Sequence, residues 1–313
     1  MKKHILIIEA ILGLILVVST FNLFYTPVVE EEINIGTFFS AIDYAPYYIA
    51  KNQGWFEEVA NKHRTTIKYT EFQTLPAVNE AIATGNADII FEAEPPAIIG
   101  NAAGVDVEIK GIGVSLTQEI LVHKDSEINK VSDLKNKKIA VLAGTSSHYG
   151  VLKILEDNGL LAEDIEIIDM IPPDANVAFE LKQVDAWAVW PPWVEQQTVL
   201  GDGITLKGGD AFIQSIIAVR GDFSKENSEV TDELIEVVER AKRWIIENEE
   251  ESQLIIADEL GLSIEVVKEA WPKHDFQATI GEREMLDIQA KADFLYDTGS
   301  IKNQINVEDL VSI

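Results

Sequence analysis

The chain has 313 residues, no cysteine, 47% hydrophobic and 25% charged residues, and a formal net charge of −28. That balance belongs to a folded chain of about two domains. The missing cysteine excludes disulfides, thiolate metal sites, cysteine nucleophiles and lipid attachment through a cysteine. The acidic excess repels nucleic acid and anionic membrane surfaces, so no nucleic-acid partner is expected.

Lys2 and Lys3 precede an apolar run, Ile5 to Tyr25, whose only charged member is Glu9. At about 1.5 Å per residue the run is about bilayer length. Ser19 to Tyr25 offers no Ala-x-Ala cleavage site. An uncleaved membrane anchor is expected in preference to a removed signal. The basic end stays inside, which puts everything after Pro27 outside. Thr26 to Glu32 reads as an acidic stalk.

From Ile33 the pattern alternates strands and helices. Strands are expected at Ile33–Gly36, Ile67–Tyr69, Ile89–Phe91, Val107–Val114 and Ile120–His123, with helices at Tyr44–Trp55 and Pro76–Thr84. The pattern then repeats. Strands are expected at Lys138–Val141, Ile165–Ile168 and Ala186–Val189, with helices at Ser147–Asn158 and Ala175–Lys182. Ser215–Arg220 is apolar and β-rich, and the remainder is helical: Thr231–Asn248, Glu251–Leu260, Ile264–Ala270 and Glu282–Thr298. Two βαβ blocks followed by helices argue an α/β fold with two lobes.

Four strand ends carry candidate ligand contacts, because α/β proteins hold small molecules at the carboxyl ends of strands. The first is Gly36–Tyr44, with Ser40, Ile42 and Tyr44; a capped polar loop over buried Phe38 and Phe39 is the alternative. The second is Asp88–Pro96, where Glu92 and Glu94 could face a cationic group on a ligand or sit at a solvated rim. The third is Ala143–Tyr149, with Thr145, Ser146, Ser147 and His148 at a helix start. Free N–H groups and hydroxyls there could seat an anion, or the serines could simply cap the helix. It has no phosphate-loop lysine. The fourth is Val184–Trp193, with three tryptophans around Pro191 and Pro192. Trp187 or Trp190 is expected to touch ligand and Trp193 to support the wall, although any one of them could be core. No two of His4, His63, His123, His148 and His274 stand at metal-ligand spacing, and no G-x-S-x-G elbow is present. No metal, cofactor or catalytic residue is expected.

Taken in order, these segments resemble the ABC-importer solute-binding proteins for nitrate, taurine, alkanesulfonates and thiamine-precursor pyrimidines. The likeness lies in Thr37–Pro46 followed by Gly54-Trp55-Phe56, in Gly85-Asn86-Ala87-Asp88 leading to Pro95-Pro96, in Leu134–Val141 followed by Gly144–Tyr149, and in Asp185–Pro192. It covers nearly all of the chain beyond Ile33. The resemblance implies a two-lobed type II periplasmic-binding-protein fold with two hinge crossings, placed near Glu119 and Val219. Lobe 1 would comprise residues 33–119 with 220–313, lobe 2 residues 120–219, and residues 1–32 the anchor and stalk. It implies an extracytoplasmic receptor for a sulfonate-like or zwitterionic solute, with a permease and an ATPase as partners and no enzymatic activity. Nitrate and an aminopyrimidine are alternative ligands. A membrane-tethered sensor and an enzyme on the same fold are the readings from other classes.

Overall fold

Short β-branched strands separated by amphipathic helices can bury their apolar faces together only as a sheet covered by helices. A computed structural model describes residues 32–312 and has this layered form. The run Ile5–Tyr25, with the anchor expected there, lies outside the described residues. Among those described, no helix is long and apolar enough to cross a membrane.

The first block is β1 (Glu32–Phe38), a tight turn at Ile42–Tyr44, α1 (Ala45–Asn52), α2 (Trp55–His63), β2 (Thr66–Phe72), α3 (Leu75–Ala83), β3 (Ile89–Ala93) and α4 (Glu94–Ala102). The helix expected over Tyr44–Trp55 therefore stops early, and a second helix follows. Gly54 adopts φ +71° between them. A Cβ there would meet nothing within 4 Å, so the left-handed backbone rather than crowding is what calls for glycine. Helix α4 was not foreseen. Pro95 and Pro96 occupy its first turn, where the missing N–H has no intrahelical partner to lose.

Next come β4 (Val107–His123), β5 (Lys138–Val141), α5 (Ser146–Asp157), β6 (Glu166–Asp169), α6 (Pro172–Glu180), β7 (Ala186–Val189) and β8 (Gly203–Arg220). The two strands expected at 107–114 and 120–123 are one continuous strand of 17 residues. The strand expected at Ser215–Arg220 is the second half of one of 18 residues. The carboxyl-terminal region is α7 (Gly221–Glu226), α8 (Ser228–Glu247), α9 (Glu249–Leu260), α10 (Ile264–Ala270), β9 (His274–Asp275), α11 (Glu282–Asp297) and α12 (Val307–Leu310). Helix α8 buries Leu234, Val237, Val238, Ala241 and Ile245, the spacing of one helical face.

All strands join one sheet in the order β2-β1-β3-β8-β4-β7-β5-β6, with β9 added to β4. The order is near-symmetric about its centre, since β2-β1-β3-β8 mirrors β6-β5-β7-β4. Pairs β1/β2, β1/β3, β5/β6 and β5/β7 are parallel; β3/β8, β8/β4 and β4/β7 are antiparallel. The long central strands serve both halves. Residues 215–219 of β8 pair with β3, while β4 pairs with β7 over residues 119–122. A smaller apolar core gathers Ile120, Val141, Val151, Ala186 and Leu206 in the second half, apart from the main core.

Candidate ligand-binding site

The carboxyl ends of β1, β3, β5 and β7 converge. A cavity of about 10 Å³ between them is lined by Phe38, Asp43, Tyr44, Ala93, Pro96, Thr145, Ser146 and Trp190, which come from all four strand ends. That is about the space of one water.

One wall is aromatic. Trp190, at the end of β7, lies 6.5 Å from Phe38 and 5.7 Å from Phe39, centroid to centroid. Phe39 holds φ +58°, a conformation a bulky residue adopts at a cost of roughly 1–2 kcal/mol. Its N–H donates to the Phe72 carbonyl at 2.9 Å, which keeps the ring against Trp190.

The facing wall is the start of α5. Thr145 caps the helix: its Oγ1 accepts from the His148 N–H at 3.3 Å and donates to the Leu142 carbonyl at 2.7 Å. Ser146 and Ser147 are the first two helical residues, so their N–H groups have no carbonyl four residues back. Gln118, buried on β4, fixes both hydroxyls. Its Nε2 donates to Ser146 Oγ at 2.8 Å, and Ser147 Oγ donates to its Oε1 at 3.0 Å. Ser146 keeps its own hydroxyl proton to donate. The His148 Nδ1 accepts from the Gly144 N–H at 3.2 Å, and burial lowers the pKa of the ring. Gly144 itself sits at φ +78°, in the loop that turns β5 into this helix.

The acidic groups divide. Glu92 is buried near the end of β3, and burial alone pushes its pKa up to about 8. It is therefore neutral over most of the physiological range. Glu94 is wholly buried and committed elsewhere. It pairs with Lys291 of α11, which also contacts Asp287 at 2.5 Å, and accepts from the Gln214 N–H at 2.9 Å. Asp43 faces the cavity and bonds His274 Nε2 at 3.1 Å.

Several expected contacts stand elsewhere. Trp187 is 1% exposed and packs in the interior against Phe179 and Trp193, at 6.2 and 5.9 Å. The alternation of strand side chains explains this, because Trp187 lies inside β7 whereas Trp190 lies beyond its end. Ile42 is fully buried in the main core. Ser40 is exposed and bonds Glu71 at the rim. Tyr44 lines the cavity, but its hydroxyl donates to the Phe38 carbonyl at 3.2 Å. Sequence reading missed Gln118 and the Asp43–His274 pair. The pair joins residues 231 apart, which no local pattern marks. Outside the cavity, His63, Glu229 and Glu233 bring ligand-type atoms within 4.8 Å of one another, though Lys62 already contacts Glu233 at 2.5 Å.

Mirrored halves joined by two long strands, with strand ends converging on one small cavity, define an α/β periplasmic-binding-protein fold. The comparisons agree. The alkanesulfonate-binding protein SsuA from Xanthomonas axonopodis pv. citri, solved bound to MOPS, superposes with a TM-score of 0.78 at 24% identity, covering 91% of this chain and 99% of that one. A Bacillus subtilis (strain 168) protein named "Putative aliphatic sulfonates-binding protein" is 32% identical over 289 residues, 90% of this chain and 86% of the relative. The taurine-binding periplasmic protein of Escherichia coli (strain K12) is 27% identical over 176 residues, 55% of each chain. The NMT1/THI5 like family model matches residues 41–252. The chain belongs to this family.

Proposed function

We propose that the protein is an extracytoplasmic receptor that delivers a small alkanesulfonate to an ABC-importer permease and its ATPase. The observation that carries this reading is the pairing of two walls in one cavity: the Ser146 helix start opposite Phe38 and Trp190. Helix-start N–H groups favour an anion, and an aromatic face favours an alkyl chain beside it. Tyr44, Thr145, Ser146 and Trp190 from the expected set, together with Phe38 and Asp43, form the proposed contact shell. Glu94 is spent on Lys291, and burial favours the neutral form of Glu92, so neither offers a ready carboxylate to an ammonium. That favours a simple alkanesulfonate over taurine. No covalent chemistry is proposed.

In this reading the halves of the sheet are lobes that close like a clamshell. Lobe 1 comprises residues 33–119 with the carboxyl-terminal region, and lobe 2 the segment from 120. The β8 pairing suggests a second crossing near Asp210–Ser215, somewhat before Val219, which pairs with Ile89 inside the first half. The run Ile5–Tyr25 is proposed to tether the receptor to the membrane.

Calorimetric titration with ethanesulfonate, taurine, nitrate and an aminopyrimidine tests the assignment. Ethanesulfonate is expected to bind and to raise the melting temperature; saturation at 100 times Kd contributes about 2.7 kcal/mol. Trp190→Ala should weaken it by about 2 kcal/mol or more. No binding of any of the four, with turnover of another substrate, would overturn the reading.

A further inference from the structure

We infer that the buried Asp43–His274 pair holds one shared proton and that this proton admits the anion to the cavity, so that sulfonate binding and proton binding are linked. The inference rests on the proposed function and adds to it the means by which a very acidic chain accepts an anion.

The argument is one of donors and acceptors. His274 Nδ1 stands 2.9 Å from the Ala270 carbonyl, which only accepts, so Nδ1 carries a hydrogen. The other nitrogen, Nε2, stands 3.1 Å from Asp43 Oδ1. With one hydrogen on the ring, Nε2 would present a lone pair to a carboxylate. Neither side could donate. The contact is favourable only if a second proton lies between them, as imidazolium with carboxylate or as imidazole with carboxylic acid. Either form is neutral overall. Both side chains are shut from bulk water, His274 at 0% and Asp43 at 6% exposure, and their direct 3.1 Å contact leaves no room for a water between them to supply the missing donor.

Position makes this matter for ligand. Asp43 and Ser146 line the same small cavity, so an anion on the α5 start would share that cavity with Asp43. A protonated pair presents no net charge to it, whereas the deprotonated pair would present a negative one. The ligand therefore binds the protonated pair better, and by linkage it raises the pair's hold on the proton. The Asp43 carbonyl, which accepts from Ser215 Oγ at 3.0 Å on β8, helps fix the group in place.

The charged surroundings are few. Lys273, next to His274, contacts Glu195 at 2.7 Å and also pairs with Glu119. Glu195 is wholly buried, and burial raises its pKa. On the other side stand Glu92 and Tyr44, whose hydroxyl is held protonated by burial and by these carboxyls. Phe276 stacks on His274 at 6.2 Å and brings no charge. Glu92, whose burial raises its pKa to about 8, is a competing proton carrier in the same pH range, so the test removes it first.

Ethanesulfonate affinity is measured by calorimetry from about pH 6 to about pH 9, in buffers of differing ionisation heat, for wild type, Glu92→Gln and Asp43→Asn. Expected for Glu92→Gln is proton uptake on binding and an affinity that falls with pH, by up to about tenfold per unit where one proton is taken up. The side-chain amide introduced by Asp43→Asn can donate an N–H to Nε2 without an added proton. That variant should therefore flatten its share of the slope and bind at least as tightly as wild type at high pH. A merely structural role would lower affinity at every pH and leave the slope alone. A flat profile in Glu92→Gln overturns the inference while leaving the receptor reading intact, and needs no variant of the pair itself. Failure of every anion to bind at any pH overturns both.

Discussion

At the residue scale, two tryptophans three positions apart have different duties. Trp187 faces the interior and Trp190 the cavity. Trp187→Ala should cost about 3–5 kcal/mol of stability through the void it leaves, read as a lower urea midpoint. Its effect on ligand affinity should be smaller than that of Trp190→Ala. Glu92 makes a separate prediction. Burial raises its pKa from 4.5 to about 8 in the folded state. The folded protein thus binds a proton that the unfolded chain releases between these values. Stability from this group is fully present below about pH 4.5 and is lost as pH rises towards about 8, an effect of a few kcal/mol at most. Glu92→Gln should flatten that decline in thermal unfolding across pH; an equally steep decline in the variant would assign it to other groups.

At the element scale, α11 is docked by a buried charge. Lys291 is 1% exposed and ties the helix to Glu94 at the start of α4, which in turn holds the β8 backbone at Gln214. Removing one partner of such a pair leaves the other buried without compensation. Lys291→Met should therefore destabilise by about 3–5 kcal/mol, and the double change with Glu94→Gln should recover much of that. A double-mutant cycle in denaturant measures the coupling, and simple additivity would show that the pair holds nothing together. The strands of the two βαβ blocks were legible because alternation and apolar runs are local signals. The continuity of β4 was not. Residues between 114 and 120 read as a break, yet β8 runs alongside them from Ser115 to Glu119 and supplies their partners.

At the scale of the whole molecule, the net charge of −28 dominates. Long-range repulsion opposes the approach of an anion, whereas the N–H groups of the α5 start act only within a few ångströms. Added salt screens the first and barely touches the second. Sulfonate association, followed by stopped-flow tryptophan fluorescence, should therefore be no slower at high salt than at low. A steep fall in rate with salt would point to a cationic ligand instead.

The sequence by itself determined the α/β class, the two successive βαβ blocks and the four strand ends from which a site could be built, because periodicity, proline and glycine act through neighbours in the chain. It also marked Ser146 and Trp190, which stand where a strand gives way to the next segment. Only the tertiary structure decided which candidates face the cavity. Glu94 looked available until Lys291, 197 residues away, was brought against it. Asp43 lies in a loop that the sequence leaves unassigned until His274, 231 residues away, closes on it. Pairings of that kind depend on how packed elements meet, and no residue's immediate neighbours in the sequence carry that information.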